Sequence, residues 1–124
     1  MSGDLTTTST SSQPNYSGGV DGFIAKFDNQ NNFNAATYVG NGGYNQNYFL
    51  QIDINNDVFV LGLTDIAMPS FPSGIYNTAG SQYIQKFSPD LSSISLSSTF
   101  GTGSLTRTIT PTAFLVSDCG LIYV

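Results

Sequence analysis

The chain has 124 residues and a net charge of −5, yet only 9% of its residues are charged, against roughly 25% in ordinary soluble domains. Three basic residues, Lys26, Lys86 and Arg107, give no stripe to neutralise a nucleic-acid backbone or an anionic membrane surface, and no apolar run nears the roughly 20 residues of a membrane helix. Histidine is absent and Cys119 is the single cysteine, so Ser-His-Asp and Cys-His catalysis, histidine metal sites and a cysteine zinc centre are excluded within the chain.

All eight acids are Asp, and polarity otherwise comes from Ser, Thr, Asn, Gln and Gly. These are turn formers, while Phe, Tyr, Ile, Val and Thr favour strands, so the chain reads as all-β. The opening, MSGDLTTTSTSSQ, has neither a basic nor an apolar leader region, so no signal peptide is expected in this chain. Residues 1–15 read as a Ser/Thr-rich connector or the end of a preceding crossing. Asn15-Tyr16-Ser17 fits a glycosylation sequon, a match common by chance.

The first strand is Phe23-Ile24-Ala25-Lys26-Phe27, whose alternation sets Phe23, Ala25 and Phe27 on one face and Ile24 and Lys26 on the other. A turn at 28–32 leads to a strand over 33–39 and then to Gly40-Asn41-Gly42-Gly43. A hairpin follows: a strand over 49–54, a turn at Asn55-Asn56-Asp57, and a strand over 58–63. A Pro/Gly/Ser-rich segment, 64–80, crosses to the next strand, Tyr83–Phe87. Beyond Ser88-Pro89-Asp90 come a strand over 94–100, the cluster Gly101-Thr102-Gly103, and a last hairpin, 113–116 and 121–124, around Ser117–Gly120.

The second half echoes the first. Tyr16, Phe23, Ile24, Lys26 and Phe27 lie 60 positions before Tyr76, Tyr83, Ile84, Lys86 and Phe87. Thr37-Tyr38 lies 62 before Thr99-Phe100, and IDINNDVFV (52–60) lies 64 before VSDCGLIYV (116–124). Three matched segments in one order make a tandem repeat. The expected units are 16–75 and 76–124, the second truncated at its C-terminal end. Each would hold four short strands in about 60 residues, and a lone four-stranded meander must stack on copies of itself to cover both faces. Period and strand count favour two tandem four-stranded β-propeller blades. Two are too few to close a ring, so the chain is expected to be part of a larger propeller or to be completed by oligomerisation.

YSGGVDGFIAKF (16–27), TYVGNGG (37–43) and IDINNDVFVLG (52–62), with their second copies, resemble the SBBP-type repeat, a β-propeller repeat of secreted and surface bacterial proteins. FLVSDCGLIYV (114–124) is similar to propeller regions of surface proteins of gliding Bacteroidota. Two departures, Thr78-Ala79-Gly80-Ser81 in place of Gly-Gly-x-Asp and Asn56-Asp57 in place of Gly-Asn, bear on blade regularity. The resemblance implies an extracellular or cell-surface location, with type IX export and gliding motility as associated systems. The expected function is a non-catalytic structural and interaction module that displays loops for protein or glycan binding, as in adhesion. The alternatives are the scaffold of a propeller enzyme with catalytic residues outside this chain, or a component or cargo of an export or motility assembly. The expected partners are further blades or copies of the chain, with neither nucleic acid nor membrane insertion.

Candidate chemistry is sparse. Asp53-x-Asn55-x-Asp57 opens like a calcium loop but lacks the Gly and Glu that complete one. It reads as a hairpin turn, with calcium as the alternative, and no other cofactor is expected. Cys119 reads as a small half-buried residue beside a turn, with a disulfide to another chain or a reactive thiol as the alternatives. Lys26 and Lys86 read as strand-edge charges or partners for a local Asp. The repeated aromatics read as core between units, and Tyr44 and Tyr48 as a ligand-contact loop, for instance for sugar stacking.

Overall fold

A computed structural model describes residues 5–106 and 110–124, so Arg107 and the first four residues of the expected connector lie outside it. The described residues form eight antiparallel strands and no helix: β1 (Gly22–Phe27), β2 (Phe33–Val39), β3 (Asn45–Ile52), β4 (Val58–Thr64), β5 (Gln82–Phe87), β6 (Ile94–Phe100), β7 (Leu115–Val116) and β8 (Ile122–Tyr123). The expected all-β class holds.

Strand grouping differs from the expected pair of four-stranded units. β1 pairs only with β2, β7 only with β8, and the one four-stranded sheet runs β3-β4-β5-β6. It therefore takes two strands from each sequence repeat. The cause lies in the links. After β2 the glycine-rich stretch leads out of the ladder, with Tyr44 bridged in parallel to Val20, whereas the long crossing after β4 returns β5 alongside β4, Gly62 opposite Tyr83.

The hairpin turns of the described residues share one plan, with one extra residue in the turn between β5 and β6. The amide of the opening residue donates to the closing carbonyl: Asp28 to Asn32 at 3.0 Å, Asp53 to Asp57 at 3.0 Å, Ser88 to Ser93 at 2.9 Å and Ser117 to Leu121 at 2.9 Å. The amide three residues on donates back to the opening carbonyl, from Asn31, Asn56, Leu91 and Gly120 respectively. Those four residues are left-handed, with φ of 65°, 64°, 61° and 81°. This is the type I turn with a bulge, which matches the twist of the strands it joins. The opening side chain completes the turn, Asp28 accepting from Gln30 and Asn32, and Asp53 from Asn55 and Asp57.

Three layers stack. Cross-strand partners share a face, so Val58, opposite Phe87, and Val60, opposite Gln85, lie on the same face as Tyr83. This face packs on Ile24, Ala35 and Val39 of the β1–β2 pair, with Met68 and Leu91 closing the core. On the opposite face the Gln51 amide grips both backbone groups of Val116, accepting from its N–H at 2.7 Å and donating to its carbonyl at 3.2 Å, which seats β7. β4 between them is buried along its whole length, VFVLGLT, as a strand covered on both faces must be.

The outer edges are strapped. Thr8 and Gln13 hydrogen-bond Ala36 and Tyr38 along β2, and Phe71 and Thr78 do the same to Ser97 and Thr99 along β6. The crossing 64–80 is thus an ordered edge cover, pinned further by Ser97 Oγ on the Pro69 carbonyl at 2.6 Å.

Candidate functional site

The acidic hairpin between β3 and β4 is occupied by protein. Lys86 Nζ lies 2.7 Å from an Asp57 oxygen and 3.4 Å from Asp53, and 5.1 Å above the Phe59 ring. Burial acts to raise the Asp53 pKa, but the backbone N–H groups of Asp57 and Asn55 and the Lys86 ammonium outweigh it and hold the carboxyl below its ordinary value. The hydrogen bond to Asp57 leads the effects that raise Lys86. The Asp53 carboxylate is thus engaged in the turn, and both carboxylates share the ion pair with Lys86. Among the described residues no cluster of three acidic or thiol groups converges as a metal would need. Lys26, at the equivalent strand position, donates instead to the Pro89 carbonyl at 2.8 Å.

Tyr48 is not in a loop. β3 begins four residues earlier than the sequence pattern suggests, and Tyr48 sits at its bulge between Asn47 and Phe49. Tyr44 precedes the strand, its amide held by Asp65 at 2.6 Å and its hydroxyl on Gln46 at 2.9 Å. Tyr44, Asn45, Gln46 and Asn47 line one wall of a cleft of about 350 Å³, with 20–23 opposite. Asn45 is fully buried, and its side-chain amide has no protein partner. Asn47 bridges the layers, donating to the Phe23 carbonyl and accepting from the Tyr83 hydroxyl at 2.6 Å. Burial, seconded by the Asp21 charge, raises the Tyr83 pKa.

Sequence reading missed Asp21. It is 4% exposed and accepts from the Ser17 amide and hydroxyl at 2.7 Å and from Gln13. Gly40 lies so close that a Cβ there would fall 2.0 Å from its carboxylate. The Gly-Gly-x-Asp stretch at 18–21 was the available signal. Cys119 stands exposed on the β7–β8 turn rather than half-buried, because the middle of a turn faces outward. The Ser117 hydroxyl, 3.2 Å from its sulfur, lowers the thiol pKa.

An apolar groove of about 520 Å³ lies on the outer face of β5 and β6. Ile84, Leu96 and Phe100 form its floor, and Ile122 and Val124 form the side beside β8. By ladder position, Ile84, Leu96 and Phe100 correspond to Ile24, Ala35 and Val39: Ala35 lies opposite Lys26 as Leu96 lies opposite Lys86, and Val39 opposite Gly22 as Phe100 opposite Gln82. The first set is covered by β4 and β5. In the second set Ile84 is buried, while Leu96 and Phe100 are half-buried along the groove. Comparison with models of protein families, with curated proteins and with solved structures finds no match to the chain.

Proposed function

We propose that this chain is a non-catalytic structural and interaction module, a stretch of stacked β-propeller units from a secreted or surface-displayed bacterial protein. One contrast carries the reading. Phe87 and Phe27 hold equivalent positions in the two repeats, yet Phe87 is 0% exposed and Phe27 is 56% exposed. The difference is one layer: β1–β2 covers Phe87, and no described residue covers Phe27 in the same way. A unit whose equivalent face is core in one copy and surface in the next is built for stacking. The β1–β2 and β7–β8 pairs are then the closing and opening halves of neighbouring blades.

The cleft beside Tyr44 supplies the chemistry of a display surface, an aromatic ring next to the exposed Gln46 side chain, suited to a glycan or a peptide. Electron microscopy of the purified protein tests the scaffold: a toroid of radial four-stranded units is expected, and a globule without a central axis overturns the reading. Antibody labelling of intact producer cells tests the location. A signal that requires permeabilisation overturns surface display.

A further inference from the structure

We infer that the groove over Ile84, Leu96 and Phe100 is the docking site for the β1–β2 hairpin of a second copy of this chain, which adds its β1 to the free edge of β8. The inference rests on the stacked-unit reading and names the partner and its register.

The chain contains the finished form of this contact. Inside it, β4 pairs with β5, and the same two strands lay Val58, Val60, Tyr83 and Phe87 on Ile24, Ala35 and Val39. The two ends hold the halves of an equivalent contact. β7–β8 repeats the β3–β4 hairpin 64 positions later, and β1–β2 repeats β5–β6 about 60 positions earlier. Placed side by side, β7-β8 of one copy and β1-β2 of the next reproduce the order β3-β4-β5-β6.

The register follows by transfer. Val58 opposite Phe87, Phe59 opposite Lys86 and Val60 opposite Gln85 become Ile122 opposite Phe27, Tyr123 opposite Lys26 and Val124 opposite Ala25. Each pair suits its neighbours. Phe27 and Phe23, on the open face of β1, enter the groove where Phe87 and Tyr83 enter the covered one. Lys26 comes over the Tyr123 ring as Lys86 lies over Phe59. Ile122, Tyr123 and Val124 keep their strand character while Tyr123 and Val124 stay more than half exposed, an apolar edge that a free strand ordinarily avoids. The contact is head-to-tail, so it closes into a ring or propagates.

Sedimentation of the purified chain tests it, with a particle at a multiple of 13.2 kDa expected that dissociates on dilution. Phe27→Asp and Leu96→Asp should each give a monomer. Mixed in equal amounts they should give a heterodimer and nothing larger, since one retains the groove and the other the hairpin. In a Cys119→Ser background, Lys26→Cys and Tyr123→Cys should cross-link only with each other, giving a disulfide between chains. A wild-type chain that stays monomeric at every concentration, or a Tyr123→Cys chain that cross-links to itself, overturns the inference. Amide exchange on the Phe27→Asp monomer separates this from failure of the wider reading. Slow exchange at Ile24 and Thr37 shows the internal stacking standing by itself, whereas free exchange there overturns the stacked-unit reading as well.

Discussion

The left-handed residue of each hairpin turn shows how one backbone demand is met in different ways. Asn31 and Asn56 tolerate positive φ through their short polar side chains and Gly120 through the absence of one. Leu91 has no such excuse, and it is fully buried, plugging the core between β5 and the β1–β2 layer. Packing there outweighs backbone preference. Asn56→Gly should therefore leave stability unchanged or raise it by up to about 0.5 kcal/mol. Leu91→Gly should lower it by about 2–4 kcal/mol although it relieves the same φ, and urea unfolding of both variants checks the contrast. The turn carboxylates also set the acid response. Hydrogen bonds from Ser88 and Ser92 bring Asp90 down to about 2, those from Asn32 lower Asp28, and Asp53 is lowered as well. A carboxyl depressed on folding stabilises above its unfolded value of 3.8 and loses that contribution as pH falls through the folded one. Thermal midpoints should thus hold steady from neutral pH to about 5 and then drop as these groups protonate. Lys86, raised on folding, contributes up to its unfolded value of 10.5 and loses that contribution only above it. Asp57→Asn should remove most of the alkaline loss by taking the ion pair away.

At the scale of the strand, the lesson concerns what alternation can and cannot reveal. β1, β2, β5 and β6 were legible because apolar residues alternate or cluster within turn-bounded runs of six or seven, and the start of β1 was missed by a single residue. The first half of β3 was not legible. Asn45-Gln46-Asn47 looks like a loop, but Asn47 acts as a polar spacer joining Phe23 to Tyr83 across two layers, and local periodicity carries no trace of a long-range bond. The assignment of Tyr48 to a loop failed for that reason. The β4–β5 pairing was equally hidden, because the crossing between them is long. Gly62 shows the tolerance of that pairing: it faces Tyr83, and an added Cβ would stand 2.4 Å from the ring. Gly62→Ala should cost about 1–3 kcal/mol by overpacking, with loss of the Asn47–Tyr83 hydrogen bond visible in the tyrosine hydroxyl resonance.

For the molecule as a whole, the β1–β2 pair packs on one face of β4 and β5. The groove was legible only in retrospect, once ladder positions matched Leu96 to Ala35 and Phe100 to Val39. Equivalent residues should now differ in energetic weight. Phe87→Ala should destabilise a single chain by about 3–5 kcal/mol, while Phe27→Ala in a monomer should change it by less than about 1 kcal/mol, like other surface substitutions. Equal losses from the two would contradict the layer order.

The straps along β2 and β6 restrict what can attach to the rim. Their backbone donors and acceptors at Ala36, Tyr38, Ser97 and Thr99 are already taken by the chain's own segments, so an extended peptide finds little ladder to join there, and lateral growth into amyloid-like ribbons lacks a template. A binding partner of the rim must therefore recognise side chains, and sequence change in the straps can alter that recognition without disturbing the sheet beneath.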